Sequence, residues 1–128
     1  MTSLPFFVHT ASALSTFSRS LSEKYVLDGH PVKEVIFVPV VRLDSILNQY
    51  LGNQHIDFMS IDVEGFDLFV LHSNDWNRFR PDLICIENIS SAATIGISKA
   101  DEATGEFLAS KDYSLVAIQG ANAFYMTR

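Results

Sequence analysis

The sequence predicts an α/β domain of three layers, with a mostly parallel sheet between helices and an antiparallel hairpin at its end. Three observations predict it. From Asp44 onward the patterns run helix, strand, helix, strand, helix, strand, strand. The runs at 56–61 ("IDFMSI") and 82–87 ("DLICIE") are almost continuously apolar, as central strands covered on both faces should be. Near the end, "IQGANAF" has the composition of a hairpin connection.

Taken in order, "FFVH" (6–9) and "EVIFVPVV" (34–41) read as strands because they concentrate β-branched and aromatic residues. Pro39 has no N–H to donate, so the second belongs at a sheet edge or carries a bulge. Between them, the Ser-rich stretch 11–24 fits a loose helix and a loop equally. A helix is expected over 44–51, capped by Asp44, with Ile46, Leu47, Tyr50 and Leu51 on one face and Gly52 at its stop. The strand at 56–61 follows. After Gly65 a helix begins, placing Phe66, Phe69 and Val70 on one side and Asp67 in the first turn, and ends near Asn74. Trp76 is expected to pack over the sheet edge, with Arg78 and Arg80 in solvent. The strand at 82–87, a helix within 98–113 that tolerates Gly105, and strands at 114–118 and 123–127 complete the order.

The chain has 128 residues, 48% of them hydrophobic, which fits one domain with a real core. Nine basic residues against fifteen acidic ones give a net charge of −6, so neither nucleic acid nor an anionic membrane is an expected partner. Cys85 is the single cysteine, which excludes an internal disulfide and reads as a buried, inert thiol of a reducing compartment. The first ten residues lack a basic flank, and Pro5 interrupts their short apolar run, so a signal peptide or membrane anchor is not expected and the protein reads as cytoplasmic.

The chemistry-bearing residues are carboxylates. Asp62 and Glu64 stand just past the strand at 56–61, and Glu87 ends the next one. In an open parallel sheet this rim faces the ligand crevice, where carboxylates can orient a hydroxyl, act as a general base or hold a cation. Helix capping is the commoner role for an arbitrary D-x-E at such a turn. His9, His30, His55 and His72 show no metal-ligand spacing, so surface or turn roles are expected and no metal is assigned. No P-loop, G-x-S-x-G elbow or G-x-G-x-x-G motif is present.

"VPVVRLDSIL", "IDFMSIDVEGFDLFVLHSNDW" and "RPDLICIEN" together resemble the carboxyl-terminal half of the FkbM-type S-adenosylmethionine-dependent methyltransferases. That family carries a V-x-x-x-x-LD segment, an I-D-F-x-x-I-D-V-E-G strand and turn, and a P-x-x-x-x-x-E strand, in this order. The closing "DYSLVAIQGANAFYMTR" is similar to the family's last hairpin, so the likeness covers about residues 35–128. It implies a Rossmann-like fold with strand order 3-2-1-4-5-7-6, S-adenosylmethionine as methyl donor, and a hydroxyl of a sugar or small metabolite as acceptor. Asp62 and Glu64 then follow strand 4, and Glu87 ends strand 5.

Two departures accompany the likeness. Ser60 stands where the family usually has lysine. The Gly-rich turn after strand 1 and the acid after strand 2 have no counterpart, and residues 1–34 resemble the family's variable stretch, so this is expected to be a partial domain built from strands 4 to 7. Without strand 1 the strand at 56–61 becomes an edge that recruits other strands. Either "EVIFVPVV" folds back beside it or copies of the chain pair there as a homo-oligomer. An isolated chain is then expected to be catalytically silent, and the alternative function is a non-catalytic α/β oligomerisation module.

Overall fold

The computed structural model describes residues 2–63, 65–87 and 102–128. Met1, Glu64 and residues 88–101 lie outside the described residues, as does the start of the helix expected within 98–113. The chain divides into two compact units, Met1–Val41 and Arg42–Arg128.

The first unit is a two-stranded antiparallel ribbon of β1 (Thr2–His9) and β2 (Val32–Val40), joined by a 3₁₀ turn (Ser12–Leu14) and α1 (Arg19–Leu27). The register runs from Thr2 opposite Val40 to His9 opposite Val32, with an irregularity at Val8/His9. Strand β1 starts four residues before the expected 6–9 because Thr2 to Pro5 find partners on β2. A ribbon of two strands gives each an open side, which accommodates both Pro5 and Pro39. The Ser-rich stretch is loop and helix in turn. Ser18 caps α1 by accepting the Leu21 N–H at 3.2 Å.

His9 corrects the expectation of a surface role. It is 1% exposed, its Nδ1 lies 2.8 Å from the His30 carbonyl and its Nε2 2.7 Å from the Ser22 hydroxyl. A neutral ring with its proton on Nδ1 donates to the carbonyl and accepts from Ser22, so both nitrogens are satisfied. This ties β1 to α1 and to the turn before β2.

The second unit consists of α2 (Leu43–Tyr50), β3 (Phe58–Ile61), α3 (Asp67–His72), β4 (Leu83–Glu87), α4 (Glu102–Ser110), β5 (Tyr113–Gln119) and β6 (Asn122–Thr127). The element order is the expected one, but the sheet is not mostly parallel. Strands lie in the order β3-β4-β6-β5, and β3–β4 is parallel while β4–β6 and β6–β5 are antiparallel. The cause is the hairpin, whose second strand lies between β4 and β5 and runs antiparallel to both. Gln119 pairs with Asn122 across a two-residue turn whose first position, Gly120, has φ +60. β2 pairs with β1, and within the sheet of the second unit β3 has β4 as its one neighbour among the described residues.

Ile61, Leu71, Trp76, Ile84, Ile86, Leu108, Tyr113, Ala123 and Tyr125 form the core. Its polar edges are satisfied: the Trp76 indole donates to the Leu71 carbonyl at 2.8 Å and the Tyr113 hydroxyl to the Pro81 carbonyl at 2.6 Å. Arg80 is not in free solvent as expected. It donates to the Lys111 carbonyl at 2.8 Å and lies 5.1 Å over the Tyr113 ring.

The helices differ from expectation in detail. α2 is not capped by Asp44: Arg42 holds the cap position, and Ser73 meets the first free N–H groups, its hydroxyl accepting from Leu43 and its carbonyl from Asp44. Asp44 pairs instead with Arg42 at 2.8 Å. Gly52 stops the helix as expected, with φ +64 and its N–H on the Leu47 carbonyl. The expected apolar face of α2 leaves Ile46 and Tyr50 exposed. In α3 the fully buried residue is Leu71, whereas Phe69 points outward at 71% exposure.

Candidate functional site

Strand β3 ends at Ile61, which stands in register with Ile86 of β4. Asp62 is the first residue past β3 and Glu87 the last residue of β4, so both acids stand at the C-terminal ends of this parallel pair. Asp62 is exposed and Glu87 half-buried. Glu64, the third expected acid, lies outside the described residues.

One step back in the register, Ser60 stands opposite Cys85. Burial pushes the Cys85 thiol up, the Ser60 hydrogen bond opposes this, and the charge of Asp62 adds to the rise. The thiol is therefore the inert core residue that the sequence predicts. Ser60, in the family's lysine position, turns to Cys85 and brings no positive charge to the rim.

The chain leaves the rim through a tight turn. The Phe66 N–H returns to the Val63 carbonyl at 3.2 Å, and Gly65 supplies the left-handed step with φ +88. Asp67 then opens α3. By sequence it is a first-turn acid, yet it is 8% exposed and its Oδ1 is enclosed. Burial pushes its carboxyl above the usual carboxylate range, the N–H groups of Asp67, Val63 and Gly65 oppose this, and Asp62 adds a smaller push upward. The sequence gives no sign of this burial, since an acid in a helix's first turn ordinarily faces water.

The opposite rim holds a group that spacing also conceals. His55 Nε2 lies 2.8 Å from Asp82 and 3.8 Å from Asp57. Asp82 raises the imidazole pKa through its hydrogen bond and charge, with a lesser push from Asp57. All three side chains are exposed, and mutual pairing accounts for their geometry. A cleft of about 330 Å³ between α4 and the hairpin, bordered by Glu106, Tyr113, Tyr125 and Arg128, contains neither Asp62 nor Glu87. No helix among the described residues is long and apolar enough to cross a membrane.

Comparison with known proteins gives one family. The model of the methyltransferase FkbM domain matches residues 2–115. No curated protein and no solved structure matches the chain. The match begins well before residue 35, so the β1–β2 ribbon is part of the family's domain, and it stops inside β5, leaving the hairpin turn and β6 beyond it. Because the match takes in far more than half of the sequence, together with the rim acids, the chain belongs to the FkbM methyltransferase family.

Proposed function

We propose that the chain is the acceptor-side portion of an S-adenosylmethionine-dependent O-methyltransferase of the cytoplasm that methylates a hydroxyl of a sugar or small metabolite. The observation that carries this reading is the parallel pairing of β3 with β4, whose C-terminal ends are followed by Asp62 and closed by Glu87, on the side of an open sheet where ligands bind. Family membership supports methyl transfer. The order β3-β4-β6-β5 supports a Rossmann-like fold, because it is the order of strands 4-5-7-6 in the fold that the resemblance implies.

The family generally depends on S-adenosylmethionine, which supplies an electrophilic methyl group when bound. The described residues do not fit that cofactor by themselves. Their positive-φ glycines, Gly29, Gly52, Gly65 and Gly120, are single turn residues, and none belongs to a Gly-rich turn that follows a strand. No step is therefore derived through the cofactor. In this reading Asp62, exposed past the end of β3, accepts a proton from an incoming hydroxyl, a role worth roughly 10² to 10⁴ in rate. Glu87 and, by sequence, Glu64 serve as orienting acids.

Calorimetric titration of the chain with S-adenosylmethionine tests this proposal. Micromolar binding supports the enzyme. Absence of heat supports the second reading, a non-catalytic α/β module that associates with copies of itself. The one-sided strand β3 favours that module, since its outer N–H and C=O groups have no sheet partner among the described residues. Sedimentation giving a dimer or larger species supports association through this edge, and a stable monomer opposes it.

A further inference from the structure

His55, Asp57 and Asp82 meet at the N-terminal ends of β3 and β4, the end of the sheet opposite Asp62 and Glu87. Backbone bonds fix this end before any side chain is considered. The Asp82 N–H donates to the Ile56 carbonyl at 3.0 Å, the Leu83 N–H to the Asp57 carbonyl at 3.1 Å and the Thr127 N–H to the Asp82 carbonyl at 3.2 Å. The side chains are therefore carried on the ends of three adjacent strands, β3, β4 and β6, rather than on a free loop. His55 Nε2 lies 2.8 Å from an Asp82 oxygen and 3.8 Å from an Asp57 oxygen, and one ligand atom from each residue lies within 4.8 Å of the other two.

Mutual pairing accounts for where these side chains lie, but it leaves their charge unbalanced. Nε2 carries at most one proton, so it donates to one carboxylate, that of Asp82. Asp57 is brought near the same nitrogen without a hydrogen bond of its own. No lysine or arginine forms an ion pair with either acid among the described residues. Two negative charges thus share one imidazole, whereas a divalent cation can take the nitrogen and both oxygens at once. We propose that His55, Asp57 and Asp82 form a binding site for a divalent ion of the zinc class, with water completing its shell.

The donor set selects the ion. Zinc takes imidazole nitrogen and carboxylate oxygen at about 2.0–2.2 Å in tetrahedral geometry, which sets two ligand atoms roughly 3.4 Å apart. That spacing falls between the 2.8 Å and 3.8 Å found here, and all three side chains are exposed and free to close on an ion. Magnesium and calcium demand about six or more oxygens and are poorly served by a nitrogen and two carboxylates. Binding exchanges the Nε2 proton, released to solvent, for the metal. The ion then staples the start of β3 to the start of β4, at the far end of the strands from the rim acids.

Zinc chloride added to the metal-free whole chain tests the proposal, followed by calorimetry and NMR. One saturable ion per chain is expected, moving the His55 ring signals and the Asp57, Asp82 and Leu83 amides while Leu108 and Ala123 in the core stay in place. Magnesium chloride at the same concentration should move none of them. His55→Ala, Asp57→Asn and Asp82→Asn should each weaken zinc binding by about tenfold or more, and His30→Ala should leave it unchanged. Because the shift map is read on the unaltered chain, it decides the matter even if a variant folds poorly. Shifts spread evenly over the four histidines would overturn the proposal, as would the absence of saturable binding or an affinity indifferent to His55→Ala and Asp82→Asn. None of these outcomes bears on S-adenosylmethionine binding, so the proposed function is tested separately.

Discussion

Replacing Tyr113 by phenylalanine removes a single oxygen from the interior of the second unit. The residue is 1% exposed, its hydroxyl donates to the Pro81 carbonyl at 2.6 Å, and its ring stands edge-on to Trp76 with centroids 5.5 Å apart. The variant keeps the ring and its stacking but leaves a buried carbonyl without its donor, at a cost of about 1–3 kcal/mol. With a urea slope of about 1.5 kcal/mol per molar, the unfolding midpoint should fall by roughly 0.7–2 M. A second signature appears in alkali. Burial pushes the Tyr113 phenol from 10.0 up to about 12, with Arg80 opposing and Asp82 adding to the rise. The folded chain therefore favours the neutral phenol: its contribution is complete below pH 10 and is lost as pH climbs towards 12. Absorbance at the phenolate band should show a late ionisation near pH 12 that loses one phenol's amplitude in Tyr113→Phe. A variant with the parent's urea midpoint, or with the late amplitude intact, would refute the assignment of this hydroxyl.

Leu71→Ala empties a fully buried site in α3 and should destabilise the chain by about 2–5 kcal/mol in urea unfolding, with Phe69→Ala on the exposed side costing far less. Gly65→Ala should cost about 1–2 kcal/mol by the same measurement, entirely from backbone strain at φ +88, since its methyl group meets open space. Asp82→Asn should lower the His55 imidazole pKa seen by NMR, and Asp57→Asn should lower it less. Because Asp82 and Asp57 raise that pKa above 6.5, the stabilisation they give is present below pH 6.5 and fades as pH rises through the raised value.

Which parts of the molecule the sequence discloses depends on how far apart the interacting residues lie. The alternation from Asp44 onward was legible because "DLICIE" and "SLVAI" carry their strand character locally, and Gly52 and Gly120 mark the helix stop and hairpin turn that need positive φ. The sheet is less parallel than expected, because β6, set between β4 and β5, runs antiparallel to both. Pro5 concealed the first half of β1, whose formation depends on partners more than thirty residues away on β2. His55 and Asp82 are 27 residues apart, so spacing along the chain could not disclose their pairing. At the rim, Asp62 and Glu87 were legible as strand-end acids, whereas the burial of Asp67 was not, since an acid in a helix's first turn reads as solvent-facing.

The place of β6 in the sheet bears on biosynthesis. It follows every other strand in the sequence yet lies inside the sheet, between β4 and β5. A ribosome has therefore delivered both flanking strands before the piece that joins them exists, and until then the inner side of β4 waits unpaired for a chaperone or for its own hairpin. A stop codon just after Gly120 would not trim the edge of this protein; it would cut the sheet in two.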